Sequence, residues 1–291
     1  RRGQFLSLEG DGIGMIGGGK KKPRGLVDIA VMQSLSRRED LPAFLANYGQ
    51  IIVDECHHVS ALSFEGILKQ APCRWVLGLT ATPIRRDGLD PIVFMQCGPI
   101  RYSAAAAINR TGAMEVSARI IHGAPIPADT GIQAAFGLLA ADEARNSLIL
   151  RDIEESWKER RKVLILTGRT DHLEGLAAQI VPRPFILHGR MTRKERNAVL
   201  AELEALPDEE PRVILATGKL VGEGFDHPSL DTLVLAMPIS WKGTLVQYAG
   251  RLNRACAGKQ DLRIYDYVEV DDPRLNRMWA KRERGYRAMG Y

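Results

Sequence analysis

Two adjacent carboxylates that end an apolar segment are the first residues able to do chemistry. The segment QIIVDECHH (50–58) predicts a buried strand that delivers Asp54 and Glu55 to its carboxyl end. In open α/β sheets, ligands bind beyond the carboxyl ends of the strands. One carboxylate there can hold Mg²⁺ through its water shell while the other polarises an attacking water. The alternative is a solvated strand end; the HExxH spacing of a zinc site is absent around His57 and His58.

A second apolar segment predicts a neighbouring strand with a hydroxyl-rich end. RWVLGLT (74–80) leads into the turn Thr80-Ala81-Thr82-Pro83. Because the carboxyl ends of parallel strands meet at one edge of a sheet, we expect this turn to lie in the same crevice as the acidic pair.

These two segments resemble the second and third motifs, D-E-x-H and T-A-T, of the superfamily 2 helicases and translocases. They resemble in particular the branch of xeroderma-type repair helicases and type III restriction motor subunits. The resemblance implies ATP and Mg²⁺ as cofactors. It assigns the metal, with water and ATP, to Asp54, the water-activating base to Glu55 and a sensor role between domains to His57. It also implies that Thr80 and Thr82 couple the two domains.

Two segments in the second half of the chain resemble the fifth and sixth motifs of this family. In the sixth, VQYAGRLNRA (246–255), a helical projection places Gln247, Arg251 and Arg254 on one face. Two guanidinium groups there suit arginine fingers that stabilise a transferring phosphoryl group, and a solvated helix face is the alternative. The fifth is ATGKLVGEGFDHPSLDTLVLAMP (216–238). The resemblance assigns nucleotide binding or coupling to Gly222, Gly224, Asp226, Gln247 and Gly250, catalysis to Arg251 and Arg254, and nucleic-acid contact to Thr217 and Lys219.

Two further strand ends carry basic residues suited to a nucleic-acid backbone. ILTGRTDHLEGL (165–176) resembles the fourth motif region and places Gly168 and Arg169 after a strand. LHGRMTRKER (187–196) follows the next strand in the same way and offers Arg190. Phosphate contacts position a motor without reading sequence, as translocation requires. A charged helix face is the alternative for each residue. We expect DNA rather than RNA as the partner, with further subunits of a larger complex as possible partners.

The stretch GIGMIGGGKK (12–21) contains both G-x-G-x-x-G and G-x-x-x-x-G-K, but it lacks the context that either pattern needs. The second pattern requires Ser or Thr where this chain has Lys21, and both require a preceding buried strand and a following helix. We interpret the stretch as a loop, either a mobile basic hairpin near nucleic acid or a solvated turn. We expect the P-loop to lie upstream of this chain and the chain alone to have negligible ATPase activity.

Short apolar runs alternate with helical stretches, which predicts parallel α/β sheets with strands buried on both faces. A helix over 192–206 begins with a capping box of Thr192 and Glu195, and a second helix covers 171–181. The runs lie at 26–31, 50–55, 74–80, 162–168, 183–189, 212–218, 231–238 and 262–268.

The fold class is therefore α/β, and the family resemblance makes it two RecA-like parallel-sheet domains, of which we expect the first to be incomplete. We place the first domain at 1–112 and a connecting segment at 113–144, where strand–helix alternation is not evident. The second domain follows at 145–272 and a basic tail at 273–291.

Composition restricts the setting. A formal charge of +5 permits a polyanionic partner without demanding one. The four cysteines show no C-x-x-C spacing, which favours a reducing, cytoplasmic setting, at the nucleoid if the source is bacterial. No apolar run reaches the ~18 residues of a membrane span, so we expect no membrane partner.

Taken together, these features predict a fragment of an ATP-dependent superfamily 2 helicase or double-strand translocase, with ATP bound between its two domains. Two alternatives stay open. One is a non-hydrolysing nucleic-acid-binding or assembly module derived from a helicase. The other is the motor subunit of a restriction or defence complex.

Overall fold

The protein is α/β and divides into two compact units, residues 1–104 and 105–291. Among the described residues, every helix is too short or too polar to span a lipid bilayer. The computed structural model describes residues 12–58, 61–80, 88, 90–103, 113–123, 126–218, 225, 227–239, 245, 248–250, 252, 256 and 259–291.

The glycine-rich stretch of the first unit forms strands. β1 (Ile13–Gly17) pairs antiparallel with β2 (Lys20–Lys22) and parallel with β3 (Val27–Ala30), which gives the sheet order β2-β1-β3. The antiparallel pairing of β1 with β2 agrees with the basic hairpin that was one of the two forms predicted for this stretch. The prediction of a loop without a strand is wrong for β1, because the pairing of β1 with β3 spans a connection that the local glycine pattern does not reveal.

A tight hairpin turn joins β1 to β2. Gly17, Gly18 and Gly19 all have positive φ, which glycine adopts without steric cost. The carboxylate of Asp28 in β3 stabilises the connection between β2 and β3, because it accepts hydrogen bonds from the backbone N–H of Arg24 at 2.7 Å and of Gly25 at 3.0 Å. The hydroxyl of Tyr48 also donates to it.

A two-stranded parallel sheet carries the acidic pair. In it β4 (Gln50–Val53) lies beside β5 (Trp75–Gly78), with Val53 opposite Gly78. One face packs on Leu68, and the other leaves Ile52 exposed. The prediction that strands are buried on both faces is wrong for this pair, because the described helices cover one face only. The helices of this unit are α1 (Met32–Leu35), α2 (Leu41–Leu45), α3 (Ala61–Leu68) and α4 (Asp90–Cys97), with a 3₁₀ turn at Cys56–His58.

The second unit contains a six-stranded parallel sheet in the order β6-β11-β10-β7-β9-β8. Its central strands are buried on both faces, as predicted, and Leu164 and Leu233 have no exposed surface. The strands are β6 (Ala113–Ile121), β7 (Lys162–Thr167), β8 (Phe185–Leu187), β9 (Arg212–Thr217), β10 (Thr232–Leu235) and β11 (Asp261–Glu269). The helices are α5 (Ile132–Ala141), α6 (Glu143–Lys158), α7 (Thr170–Ala177), α8 (Arg193–Ala205) and α9 (Pro273–Met289).

The unit boundary differs from the predicted connecting segment at 113–144. That segment contains β6 and α5, and β6 pairs with β11 along nine residues, from Ala113 opposite Asp261 to Ile121 opposite Glu269. It therefore belongs to the second unit. Its partner strand lies far along the chain, so neighbouring residues do not indicate the pairing.

Two helices of the second unit, α7 and α8, begin within one residue of their predicted starts. The capping box of α8 is confirmed: Glu195 N–H donates to the Thr192 hydroxyl at 3.2 Å, and Thr192 N–H donates to the Glu195 carboxylate at 2.7 Å. α7 ends at Ala177, earlier than predicted. The predicted basic tail is α9, whose first turn is capped by the Asp272 carboxylate.

Candidate functional site

The acidic pair follows β4 in a strained turn. Glu55 has a φ of 50°, in the left-handed region that residues other than glycine rarely adopt. Its backbone N–H donates to the Asp54 carboxylate at 3.0 Å. Asp54 is exposed, and the Glu55 side chain is 46% exposed. Backbone strain of this kind concentrates at functional sites.

A buried imidazole joins this turn to the end of β5. His57 is 4% exposed, and its Nδ1 lies 2.5 Å from the Thr80 hydroxyl oxygen and 3.3 Å from Oε2 of Glu55. The backbone continues the pairing past the strands, because Cys56 N–H donates to the Leu79 carbonyl at 3.0 Å. The structure thus brings Asp54, Glu55, His57 and Thr80 to one sheet edge; Thr82 lies outside the described residues.

The donor set of this turn fits a magnesium ion that is bound together with a phosphate ligand. Mg²⁺ usually takes one or two carboxylates and completes its octahedral shell with water and substrate phosphates. Asp54 offers an exposed carboxylate of this kind. Within the described ranges, no three His, Cys, Asp or Glu side chains group into a metal site of their own.

Sequence reasoning missed the residue that permits this packing, Gly78. A Cβ atom on Gly78 would lie 3.0 Å from Cβ and Sγ of Cys97 and 3.1 Å from Sγ of Cys56. The absence of a side chain allows α4 and the turn after β4 to approach β5 closely. A lone glycine inside a strand pattern signals such an approach. Burial raises the pKa of the Cys97 thiol to about 11, so this thiol is neutral and acts in packing.

We predict that Gly78→Ala destabilises the first unit by about 1–3 kcal/mol, the usual cost of overpacking. The added methyl group meets the Cβ of Cys97, which is tied to the backbone of α4 and cannot swing away. Urea-induced unfolding measures the change. Gly49→Ala, immediately before β4, is the control, because a Cβ there has no neighbour within 4 Å. Equal unfolding midpoints for the two variants would contradict the packing argument.

In the second unit, the predicted nucleic-acid residues lie along one sheet edge. Strands β7, β9 and β8 are adjacent and parallel, so their carboxyl ends meet. Gly168 and Arg169 follow β7, Thr217 ends β9, and Arg190 follows β8. Lys219 lies outside the described residues. The structure therefore assembles these separate segments into one polar edge.

The two arginines of this edge are accessible to an anion. Arg190 is exposed, and its backbone N–H donates to Nδ1 of His188 at 3.3 Å. Arg169 makes a paired contact with the carboxylate of Asp171, at 3.0 and 2.5 Å, on the surface. Such exposed pairs contribute at most about 1 kcal/mol. A phosphate group could therefore replace Asp171 at little cost.

A buried histidine, His172, contacts the end of β7 at this polar edge. Nδ1 of His172 lies 3.0 Å from the Thr167 hydroxyl, and Nε2 lies 2.9 Å from Oδ1 of Asn146. Thr167 in turn accepts a hydrogen bond from the backbone N–H of Arg169 at 3.3 Å. Burial, helped by the positive charge of Arg145, lowers the pKa of His172 to about 4. The ring is therefore neutral at physiological pH.

This pKa predicts acid sensitivity. The unfolded chain protonates the histidine below about pH 6.5, whereas the folded chain resists protonation down to about pH 4, so stability falls as pH is lowered through that window. We expect a loss of about 2 kcal/mol between about pH 7 and pH 5 from this residue. Urea unfolding at both pH values measures it. His172→Asn removes this share of the loss; the control His122→Asn, whose side chain is 76% exposed, retains it. An undiminished loss in His172→Asn would contradict the prediction.

The residues assigned to the fifth and sixth motifs lie mainly outside the described residues. These are Gly222, Gly224, Asp226, Gln247, Arg251 and Arg254. Of the sixth motif, the structure describes Gly250 as exposed and Tyr248 as buried. A Cβ on Gly218, just after β9, would overlap the hydroxyl oxygen of Tyr248. This contact between the two motif segments was not predicted.

Comparison with known proteins finds similarity to helicase families. Two family models match the chain: "Type III restriction enzyme, res subunit" over residues 4–85 and "Helicase conserved C-terminal domain" over residues 145–256. "Putative ATP-dependent RNA helicase L396" of Acanthamoeba polyphaga mimivirus is 22% identical over 277 residues, which is 90% of this chain and 51% of that protein. "Putative helicase 161L" of Invertebrate iridescent virus 6 is 26% identical over 300 residues, 96% of this chain and 64% of that protein.

A solved structure confirms the fold. The fragment of a "putative HsdR subunit of a type I restriction enzyme" from Vibrio vulnificus YJ016 superposes with a TM-score of 0.65 at 22% identity, covering 94% of this chain and 54% of that chain. The α/β fold with its six-stranded parallel sheet is similar to that of RecA-like helicase domains. The two family matches, together with the helicase relatives, support a superfamily 2 helicase. It spans between half and two thirds of the length of the two curated relatives above.

Proposed function

We propose that this chain is the motor portion of an ATP-dependent helicase or translocase that moves along nucleic acid, DNA in preference to RNA. The observation that supports this most directly is the strained turn of Asp54 and Glu55, which buried His57 links to Thr80. A carboxylate pair at the end of a parallel strand, bonded to the end of the neighbouring strand, suits phosphoanhydride hydrolysis.

Each residue of the turn has a role in this proposal. Bound Mg·ATP supplies the phosphoanhydride and a divalent charge. Asp54 would hold the metal, and Glu55 would orient the attacking water and accept its proton. His57 contacts both Glu55 and Thr80 and so fixes the position of one relative to the other. Through this contact, a movement of the acidic turn is passed to the end of β5. Arg251 and Arg254 stabilise the charge on the transferring phosphoryl group.

The polar edge of the second unit supports the nucleic-acid side of the proposal. Gly168 and Thr217 allow the backbone of a nucleic acid to approach, and Arg169 and Arg190 contact its phosphates. None of these contacts reads a base, which suits movement along any sequence. We place the motor in the cytoplasm, at the nucleoid if the source is bacterial, and propose that it works with further subunits.

Two observations keep alternatives in view. The first alternative is a nucleic-acid-binding or assembly module that does not hydrolyse ATP, because the chain lacks a G-x-x-x-x-G-K-[ST] sequence. The match to the restriction family model favours the motor subunit of a restriction or defence complex as the other.

ATP turnover tests the proposal. A protein that joins this chain to a P-loop should hydrolyse ATP and accelerate when DNA is added, whereas this chain alone should show negligible turnover. A binding module would hold DNA equally well with and without nucleotide. Lack of DNA-stimulated ATP turnover in the P-loop-containing protein would overturn the proposal that this chain is part of a motor. Turnover by this chain alone, well above that of its Glu55→Gln variant, would overturn the expectation for the isolated chain.

A further inference from the structure

The net positive charge of this protein equals the net charge of one of its helices. The whole chain has a formal net charge of +5. Helix α9 (Pro273–Met289) contains six arginine or lysine residues and one glutamate, a net charge of +5 by itself. The rest of the chain is therefore neutral in sum. The six basic residues are Arg274, Arg277, Lys281, Arg282, Arg284 and Arg287.

Three of these six are engaged with carboxylates. Arg282 is buried against Asp266 at 2.7 and 2.8 Å. Arg274 pairs with the helix cap Asp272 at 2.7 Å, and Arg287 pairs with Glu283 on the surface at 2.7 Å.

The other three, Arg277, Lys281 and Arg284, form the basic stripe of α9. All three are exposed, and no carboxylate of the described residues lies within 4.0 Å of their charged groups. Arg277 donates only to the carbonyl of Pro273, at 3.1 Å, within its own helix. The stripe therefore offers charge that the described part of the protein does not neutralise.

The spacing of the basic stripe and the packing of the helix present its charges together. Positions i, i+4 and i+7 share one helix face and extend about 10 Å along the axis. The opposite face is fixed in the core, where Leu275 and Tyr286 are buried and the Tyr286 hydroxyl bonds to Asp266 at 2.7 Å. The orientation of the stripe is thus set by the fold.

We propose that the basic stripe of α9 is a second nucleic-acid contact, which binds the phosphodiester backbone independently of the edge formed by β7, β9 and β8. This proposal rests on the proposed function only in that the partner is a nucleic acid. Charge complementarity favours this partner, since three cations about a helical turn apart suit successive phosphates. A membrane-bound helix would need large apolar residues beside the cations, and a protein interface would centre on exposed aromatic anchors. The stripe is flanked instead by exposed Ala280 and Ala288.

Fluorescence anisotropy tests this with labelled DNA of about 30 nucleotides, as single strand and duplex, and with an RNA of the same length, without ATP. The variant R277Q/K281Q/R284Q should bind at least about tenfold more weakly at about 50 mM salt, uniformly across sequences. The slope of log K against log salt should become shallower by about 2 to 3. A matched control, R151Q/K158Q/R160Q, removes the same charge from exposed positions elsewhere in this unit and should bind as the unmodified chain does.

Equal weakening in the stripe variant and the matched control would overturn the proposal, since net charge alone would then explain binding. So would binding of the unmodified chain to phosphatidylserine vesicles but not to any oligonucleotide. The variant R169Q/R190Q separates the two surfaces. If it alone weakens binding, the stripe proposal fails and the proposed edge stands; if the stripe variant alone does so, the stripe stands and the edge fails. Apart from Arg169, which is partly buried, all substituted residues are exposed. Melting curves of the stripe variant and its matched control should therefore be unchanged, which confirms intact folding.

Discussion

Replacement of Glu55 by glutamine should lower nucleic-acid-stimulated ATP hydrolysis by about 10²–10⁴-fold in a protein that joins this chain to a P-loop. The amide has the shape of the carboxylate but cannot take a proton from the attacking water. Asp54 and its exposed carboxylate are untouched, so nucleotide affinity should change little. The loss should therefore appear in kcat, measured by phosphate release at saturating ATP and DNA, and not in KM.

The matched control for Glu55→Gln is Glu65→Gln on α3. Glu65 pairs on the surface with Lys69 at 2.6 Å and does not touch the acidic turn. Its loss should leave the rate within about twofold, because an exposed i,i+4 pair contributes at most about 0.5 kcal/mol. Activity retained in Glu55→Gln would remove Glu55 from the role of base.

Replacement of Arg282 by methionine should destabilise the second unit by about 3–5 kcal/mol. The Asp266 carboxylate, 1% exposed, accepts from Nε and Nη2 of Arg282 and from the Tyr286 hydroxyl. Without the guanidinium it becomes a buried charge with a single neutral donor. Urea-induced unfolding of the second unit measures the effect.

Two further variants make the Arg282 prediction specific. Arg284→Met lies two residues further along α9, is exposed, and should change stability by less than about 0.5 kcal/mol. Arg282→Met combined with Asp266→Leu should recover part of the loss, because the uncompensated carboxylate is also removed. A small effect of Arg282→Met alone would show that water or another group can satisfy Asp266.

The acidic turn of Asp54 and Glu55 was largely predictable, because the sequence patterns that indicate it are local. A continuous apolar run that ends in Asp54 and Glu55 predicts a strand with two carboxylates at its carboxyl end, and the run that ends at Thr80 predicts the neighbouring strand. Parallel pairing then requires the two ends to meet. The contact of His57 with Thr80 was predictable only in outline, because a hydrogen bond across a turn depends on the backbone angle of Glu55.

The glycine-rich stretch shows how local patterns mislead. Its spacing contains two phosphate-binding patterns but lacks the preceding strand and following helix that both require, so the sequence predicts a loop, in the form of a basic hairpin or a solvated turn. The structure forms strands there because β1 pairs with both β2 and β3. The triple glycine serves the positive φ angles of a hairpin turn, a requirement that a phosphate-binding loop also has.

By itself the sequence determined the α/β class, the strands with continuous apolar runs, the capped start of α8 and the acidic pair, since each depends on residues within one turn or strand. Only the tertiary structure decided that 113–121 is a strand of the second unit, that Arg282 is a core residue of an apparently basic tail, and that His172 is held neutral. Those outcomes depend on partners distant in the chain, whose pairing and burial energies no local pattern contains.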